Sequence, residues 1–205
     1  EAESSLSNIT LSPRQDALLG AINIPGSQDL WIWDLARGIK TRFTFQGVNN
    51  LGIWSPDGSE IIYRNALNGK ISLVRKAANG SGVEQVLLSS NEAFTLSSWS
   101  PDGKQIVYVS FTFKGTDGFL HLHLMNTDGT GDKRIVTGVQ FNQQPCFAPD
   151  GKSIVFSSIR EGGVLKLYQS DLEGKSIQPL MKEGNLDQHD EWMLFLDATK
   201  FGVIC

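Results

Sequence analysis

Trp54-Ser55-Pro56-Asp57-Gly58 returns as Trp99-Ser100-Pro101-Asp102-Gly103, and again as Phe147-Ala148-Pro149-Asp150-Gly151. Leu11-Ser12-Pro13 is a weaker copy in which Arg14-Gln15 stands where the others have Asp-Gly. The spacings from Pro13 to Pro56, Pro101 and Pro149 are 43, 45 and 48 residues. A fifth, still weaker copy, Phe195-Leu196-Asp197-Ala198-Thr199-Lys200, falls 48 residues beyond Pro149 at Asp197. Such self-similarity marks a repeat architecture, in which one supersecondary unit recurs along the chain.

The interior of each unit matches as well. An apolar run follows the turn: Ile61-Ile62-Tyr63, Ile106-Val107-Tyr108-Val109, Ile154-Val155-Phe156. An alternating run comes next: Leu30-Trp31-Ile32-Trp33, Ile71-Ser72-Leu73-Val74, Leu120-His121-Leu122-His123-Leu124, Leu165-Lys166-Leu167-Tyr168. Then a glycine turn (Gly38, Gly80, Gly129, Gly174) leads to a last short run ending near Phe45, Leu88, Thr137 and Leu180. Proline presets the turn backbone, aspartate accepts local amide bonds, and glycine takes a positive φ. The reading is four strands per repeat. One such sheet cannot bury its own apolar faces, so the units must stack face to face. Trp54, Trp99 and Phe147 share one position and are predicted to pack between neighbouring blades. The expected fold is all-β: a β-propeller of four-stranded antiparallel blades. It has about four full repeats (6–45, 50–88, 95–137, 143–181) and a partial fifth (191–205), all in one domain, 1–205.

The chain has 205 residues, of which 40% are hydrophobic and 20% charged, so it can fill a sizeable core. Its net charge of −4 gives no basic excess for nucleic acid or an anionic membrane. The longest apolar stretch, Ala17 to Ile22, is too short to span a bilayer as a helix. No charged head precedes an apolar core as in a signal peptide. Two cysteines, Cys146 and Cys205, make no disulfide framework, and Cys146 beside Phe147 reads as a small buried hydrophobe. Asn8-Ile9-Thr10 and Asn79-Gly80-Ser81 fit the glycosylation pattern, which matters only in a eukaryotic secretory pathway.

The Ser-Pro-Asp-Gly turn followed by Ile-x-Tyr or Val-x-Tyr resembles the WD40-like (PD40) repeats of TolB-like propellers. The same repeats build the propellers of tricorn-type and dipeptidyl-peptidase-type proteases. Asp29 to Gly38 with Thr41 to Phe45 is similar to propeller segments fused to bacterial serine/threonine kinases and winged-helix regulators. The resemblance implies a propeller that binds a protein or peptide, in the periplasm. Such propellers usually close with six or seven blades, more than this length supplies. A fragment, or an open arc that self-associates through its blade edges, is therefore expected over a small closed ring.

Catalytic chemistry is sparse. There is no Gly-x-Ser-x-Gly elbow, P-loop or kinase motif. His121 and His123 alternate on one strand and point to one face, the arrangement of a metal pair. With leucines taking the opposite face they are expected on the wetter side, in structural or solvent-facing roles. The third histidine is His189. Asn126 to Asp132 resembles the start of a calcium loop, but Thr137 stands where the bidentate glutamate belongs, so it reads as a hairpin turn. Asp57, Asp102 and Asp150 occupy equivalent turns and cannot converge on one reacting atom. Trp31 and Trp33 share a face, as a binding stripe or, preferably, as interblade packing. No cofactor and no metal site is expected.

Binding should concentrate on loops away from the Pro-Asp-Gly end. Between blades these are Gln46 to Asn50, Ser89 to Thr95, Gly138 to Gln144 and Lys182 to Asp190. Within blades they are Asn23 to Gln28, Arg64 to Gly69, Ser110 to Gly118 and Ile159 to Gly163. The candidate protein-binding residues are Glu92, Phe94, Phe113, Phe141, Asn142, Gln143 and Gln144: aromatic anchors beside polar groups. The alternative for the phenylalanines is that they plug gaps between blades. The expected function is a non-catalytic protein- or peptide-binding module. Two alternatives stand beside it: a detached sensor or accessory propeller of a kinase, regulator or peptidase, and a propeller enzyme (lyase or glycosidase) with a channel site.

Overall fold

The computed structural model describes residues 5–180 except 25, 116, 138–140, 161 and 162. The expected fifth repeat, the Lys182 to Asp190 loop, His189 and Cys205 lie outside the described residues. Those described form sixteen β-strands and no helix. The chain divides into two compact units, Glu1–Asn91 and Glu92–Cys205.

Unit 1 holds two four-stranded antiparallel blades. The first is β1 (Ser5–Leu11), β2 (Ala17–Ile24), β3 (Ser27–Asp34) and β4 (Ile39–Arg42). The second is β5 (Val48–Trp54), β6 (Glu60–Leu67), β7 (Lys70–Ala77) and β8 (Gln85–Ser90). A single parallel pairing, Gln28 with Val48, joins them. Between them sits a core of Leu19, Leu30, Phe43, Ile61, Tyr63 and Val74, with Trp54 packed against it. Trp54 Nε1 donates to Thr10 O at 3.4 Å, so this tryptophan does bridge blades, as its recurrence predicts.

Unit 2 repeats the plan. Its first blade is β9 (Phe94–Trp99), β10 (Gln105–Lys114), β11 (Asp117–Asn126) and β12 (Lys133–Val136). Its second is β13 (Asn142–Phe147), β14 (Ser153–Ser158), β15 (Lys166–Asp171) and β16 (Ile177–Pro179). Val107, Val109, Leu122 and Leu124 of one blade pack on Phe147, Ile154, Phe156 and Tyr168 of the next.

The recurring turn explains the repeat chemically. Ser55 Oγ donates to Asp57 Oδ1 at 2.6 Å and accepts from Glu60 N, while Gly58 N donates to Ser55 O. Ser100, Asp102, Gln105 and Gly103 reproduce these bonds. In the degenerate copy Ser12 donates to Asp16 Oδ1 at 2.8 Å, and Gln15 takes the left-handed position at φ 59° that Gly58 takes at 73°. One serine–aspartate clamp therefore survives a shift of the acid along the chain.

Several expected loops are strands. Arg64 to Leu67 lie in β6, and Ser110 to Lys114 with Asp117 and Gly118 extend the β10–β11 hairpin. Polar side chains on the partly exposed ends of these strands hide the apolar periodicity there. Trp31 and Trp33 are half-buried. Cys146 is buried at 2% exposure beside Phe147.

Candidate functional site

The first-to-second strand pairings carry register breaks, at Ser7/Thr10, Asn50/Ile53, Val107/Tyr108 and Gln143/Cys146. Asn8, Leu51 and Gln144 sit inside three of them with φ of 51°, 53° and 52°. A bulge bends its strand and re-aims a side chain. At Gln144 this matters, because Gln144 and its neighbours line an open groove in unit 2.

That groove encloses about 410 Å³ and is walled by Leu96, Val109, Phe111, Leu120 and Phe141, with Gln143 and Gln144 along it. Phe141 is 45% exposed. Asn142 does not face solvent but anchors the segment. It is fully buried, and its Nδ2 donates to Leu120 O at 3.0 Å. Its Oδ1 accepts from Arg160 Nη2 at 3.2 Å, and Ser158 Oγ lies 3.0 Å from both that oxygen and Phe141 O. Ser157 Oγ holds Gln143 O at 3.1 Å.

The structure thus brings Phe141, Gln143 and Gln144 together over Asn142 and separates the other three candidates. Phe94 is a core residue, 3% exposed, with its ring 6.0 Å from Tyr108 in an edge contact. Its apolar neighbours leave it no route to a surface anchor. Phe113 is 76% exposed near the tip of the β10–β11 hairpin, and Glu92 is exposed ahead of β9.

On the other face of β10 and β11 lies a polar cluster that sequence reasoning missed. His121 and His123 are 7% and 9% exposed, which overturns their expected placement on a wet face. Tyr108 stacks on His123 at 4.7 Å and Phe119 on His121 at 6.5 Å, so alternation with leucine did not select solvent for the histidines. Ser110 Oγ is 3.0 Å from His123 Nε2, and His123 Nδ1 is 3.1 Å from Asp132 Oδ1. Tyr108 Oη donates to the same carboxylate at 2.8 Å. Arg134 Nε points at Nε2 from 3.4 Å, which assigns the ring proton to Nδ1. Burial, then the Asp132 hydrogen bond and charge, push the Tyr108 phenol pKa up. Asp132 stays below the usual carboxylate range: the hydrogen bonds from His123 and Tyr108 outweigh its burial. His121 Nε2 pairs with Thr112 Oγ1 at 2.8 Å, and its buried Nδ1 has no partner among the described residues. Burial, followed by the charges of Arg134 and His123, lowers its pKa. Among the described residues no three His, Cys, Asp or Glu side chains form a metal-ligand set. The Asn126 to Asp132 segment is a hairpin turn, closed by Gly129 N to Asn126 O at 2.9 Å.

No protein-family model matches the sequence. The Tol-Pal system protein TolB of Bordetella pertussis is 33% identical over 123 residues, which is 59% of this chain and 26% of that protein. A solved structure described as a TolB from Agrobacterium tumefaciens superposes with a TM-score of 0.69 at 22% identity, over 88% of this chain and 63% of that one. The fold is that of a TolB-like β-propeller. The matched stretch is about a quarter of the length of the TolB relative. The chain also resembles an oligogalacturonate lyase in complex with manganese, with a TM-score of 0.67 at 15% identity over 85% of this chain and 51% of that one. Binding proteins and enzymes share this architecture, so function must be argued from the sites.

Proposed function

We propose that this TolB-like propeller is a non-catalytic protein-binding module of the periplasm, with all its repeats in a single propeller domain. The observation that carries the reading is the groove under Phe141. An exposed aromatic ring flanked by Gln143 and Gln144, on a strand pinned by buried Asn142, has the composition of an interface anchor with a polar rim. The bulge at Gln144 aims an amide along an apolar floor. The similarity to a Tol-Pal system protein supports both a protein partner and the periplasmic location. The net charge of −4 supports a partner other than nucleic acid.

The test is photo-crosslinking of the full chain in an envelope extract, with a photoreactive residue at position 141 or, as control, at 104, an exposed lysine of the Pro-Asp-Gly end. A discrete adduct from position 141 that Gln144→Ala weakens and position 104 does not give supports the reading. Equal adducts from both positions, or none, overturn it.

A further inference from the structure

Unit 1 contains an open cavity of about 680 Å³, larger than the groove under Phe141. Its wall carries the amides of Gln46, Asn65 and Asn68, the ammonium of Lys70, and the apolar surfaces of Phe45 and Val86. The floor is built and rigid. Asp29, 4% exposed, accepts from Thr44 Oγ1 and Asn49 Nδ2, each at 3.1 Å. Asn49 Oδ1 and Gln46 O each accept from Asn65 Nδ2 at 2.8 Å. With its amino group committed twice, Asn65 presents a fixed carbonyl oxygen that accepts no bond among the described residues.

The side chains of Gln46, Asn68 and Lys70 make no hydrogen bond or ion pair among the described residues. Glu84, the carboxylate of the lining, is offset by Lys76 Nζ at 3.1 Å, so the charge left unmatched in the cavity is that of Lys70. Phe45 is 63% exposed and Val86 58% exposed. Val86 belongs to β8, which among the described residues pairs with β7 alone, so the main-chain edge from Val86 to Ser89 beside the cavity is unpaired there.

We propose that this cavity binds an extended peptide segment carrying a carboxylate next to an aliphatic side chain. Carboxamides offer a donor and an acceptor together, as a peptide group requires. The open β8 edge supplies the same pairing from the main chain. Lys70 selects the acid, and Phe45 with Val86 takes the aliphatic group. The proposal rests on the binding role argued above but uses a different surface, so the two fail separately.

The experiment pans a phage-displayed random heptapeptide library on the full chain, then measures enriched peptides by fluorescence anisotropy. Acid-containing peptides should be enriched, and Lys70→Glu should weaken them about tenfold or more, the size of one lost charge-assisted contact. Gln46→Ala should weaken them several-fold, and Phe141→Ala should leave them unchanged. Lys70 and Gln46 make no side-chain bonds, so matching thermal melts will show that the variants fold. No enrichment, or enriched peptides indifferent to Lys70→Glu, overturns the proposal. Peptides lost only in Phe141→Ala overturn it while supporting the unit 2 groove. Glycan-array binding abolished by Lys70→Glu, with no such peptide binding, assigns the cavity to a sugar and also overturns it.

Discussion

Ser110 Oγ lies 3.0 Å from His123 Nε2, while the other nitrogen of that ring lies 3.1 Å from Asp132 Oδ1. These are the distances of a nucleophile–base–acid relay. The environment is wrong for one. Ser110 is 6% exposed, and the Tyr108 ring stacks on the imidazole at 4.7 Å. A fluorophosphonate probe should therefore leave the native chain unlabelled. Labelling that disappears in Ser110→Ala would establish a reactive serine and reverse the non-catalytic reading.

Asp29 joins the first blade to the entry of the second. Arg42 Nη2 reaches it at 2.6 Å, and Thr44, Asn49 and Ser27 also donate to it. Arg42 is partly exposed, so the pair alone is screened. The larger effect of Asp29→Ala is to remove the acceptor of buried Thr44 Oγ1 and one of the two acceptors of buried Asn49 Nδ2. Chemical denaturation should show a loss of about 3 kcal/mol, with Asp29→Asn losing less. A change within about 0.5 kcal/mol would mean that these groups find other partners.

Phe94 and Phe113 read alike in sequence and differ in place. Phe94→Ala removes a buried ring that contacts Tyr108 and should cost about 3–5 kcal/mol. Phe113→Ala, at 76% exposure, should change stability by no more than about 0.5 kcal/mol. Urea midpoints of the two variants decide it, and equal losses would contradict the placement.

Acid should unfold the chain partly through its turns. Hydrogen bonds from Ser55 and Ser59 lower the Asp57 pKa from 3.8 to about 2. Asp102 shifts the same way through Ser100 and Lys104. A depressed folded-state pKa contributes stability that is complete above the unfolded value and is lost as pH falls through the folded one. The loss from these turns should therefore run from just under pH 4 down to about pH 2. The lowered His121 pKa adds an earlier loss that begins as pH falls below the ordinary histidine value, and every variant that keeps His121 shares it. Urea midpoints should drop more steeply in the native chain than in an Asp57→Asn, Asp102→Asn double variant. Parallel curves would show that the clamps do not carry the acid sensitivity.

The repeat made the architecture legible. Trp54, Pro56, Asp57 and Gly58 encode a local turn whose bonds close within a few residues, and their return along the chain spells out blade after blade. The four-strand unit, the glycine turns and the bridging Trp54 all followed from this spacing. The sites did not. His121 and His123 alternate with leucine as exposed residues would, yet both are buried, and only packing shows that. Phe94 differs from Phe141 because of what lies over each ring, not because of its neighbours in sequence. Asp29, Asn49 and Asn65 meet through hydrogen bonds between residues 20 and 16 positions apart, which no local pattern marks. Sequence alone determined the hydrogen bonds that close locally. Tertiary structure decided which polar side chains are buried, which meet, and which remain open to a ligand, because those depend on surfaces that come together only when blades stack.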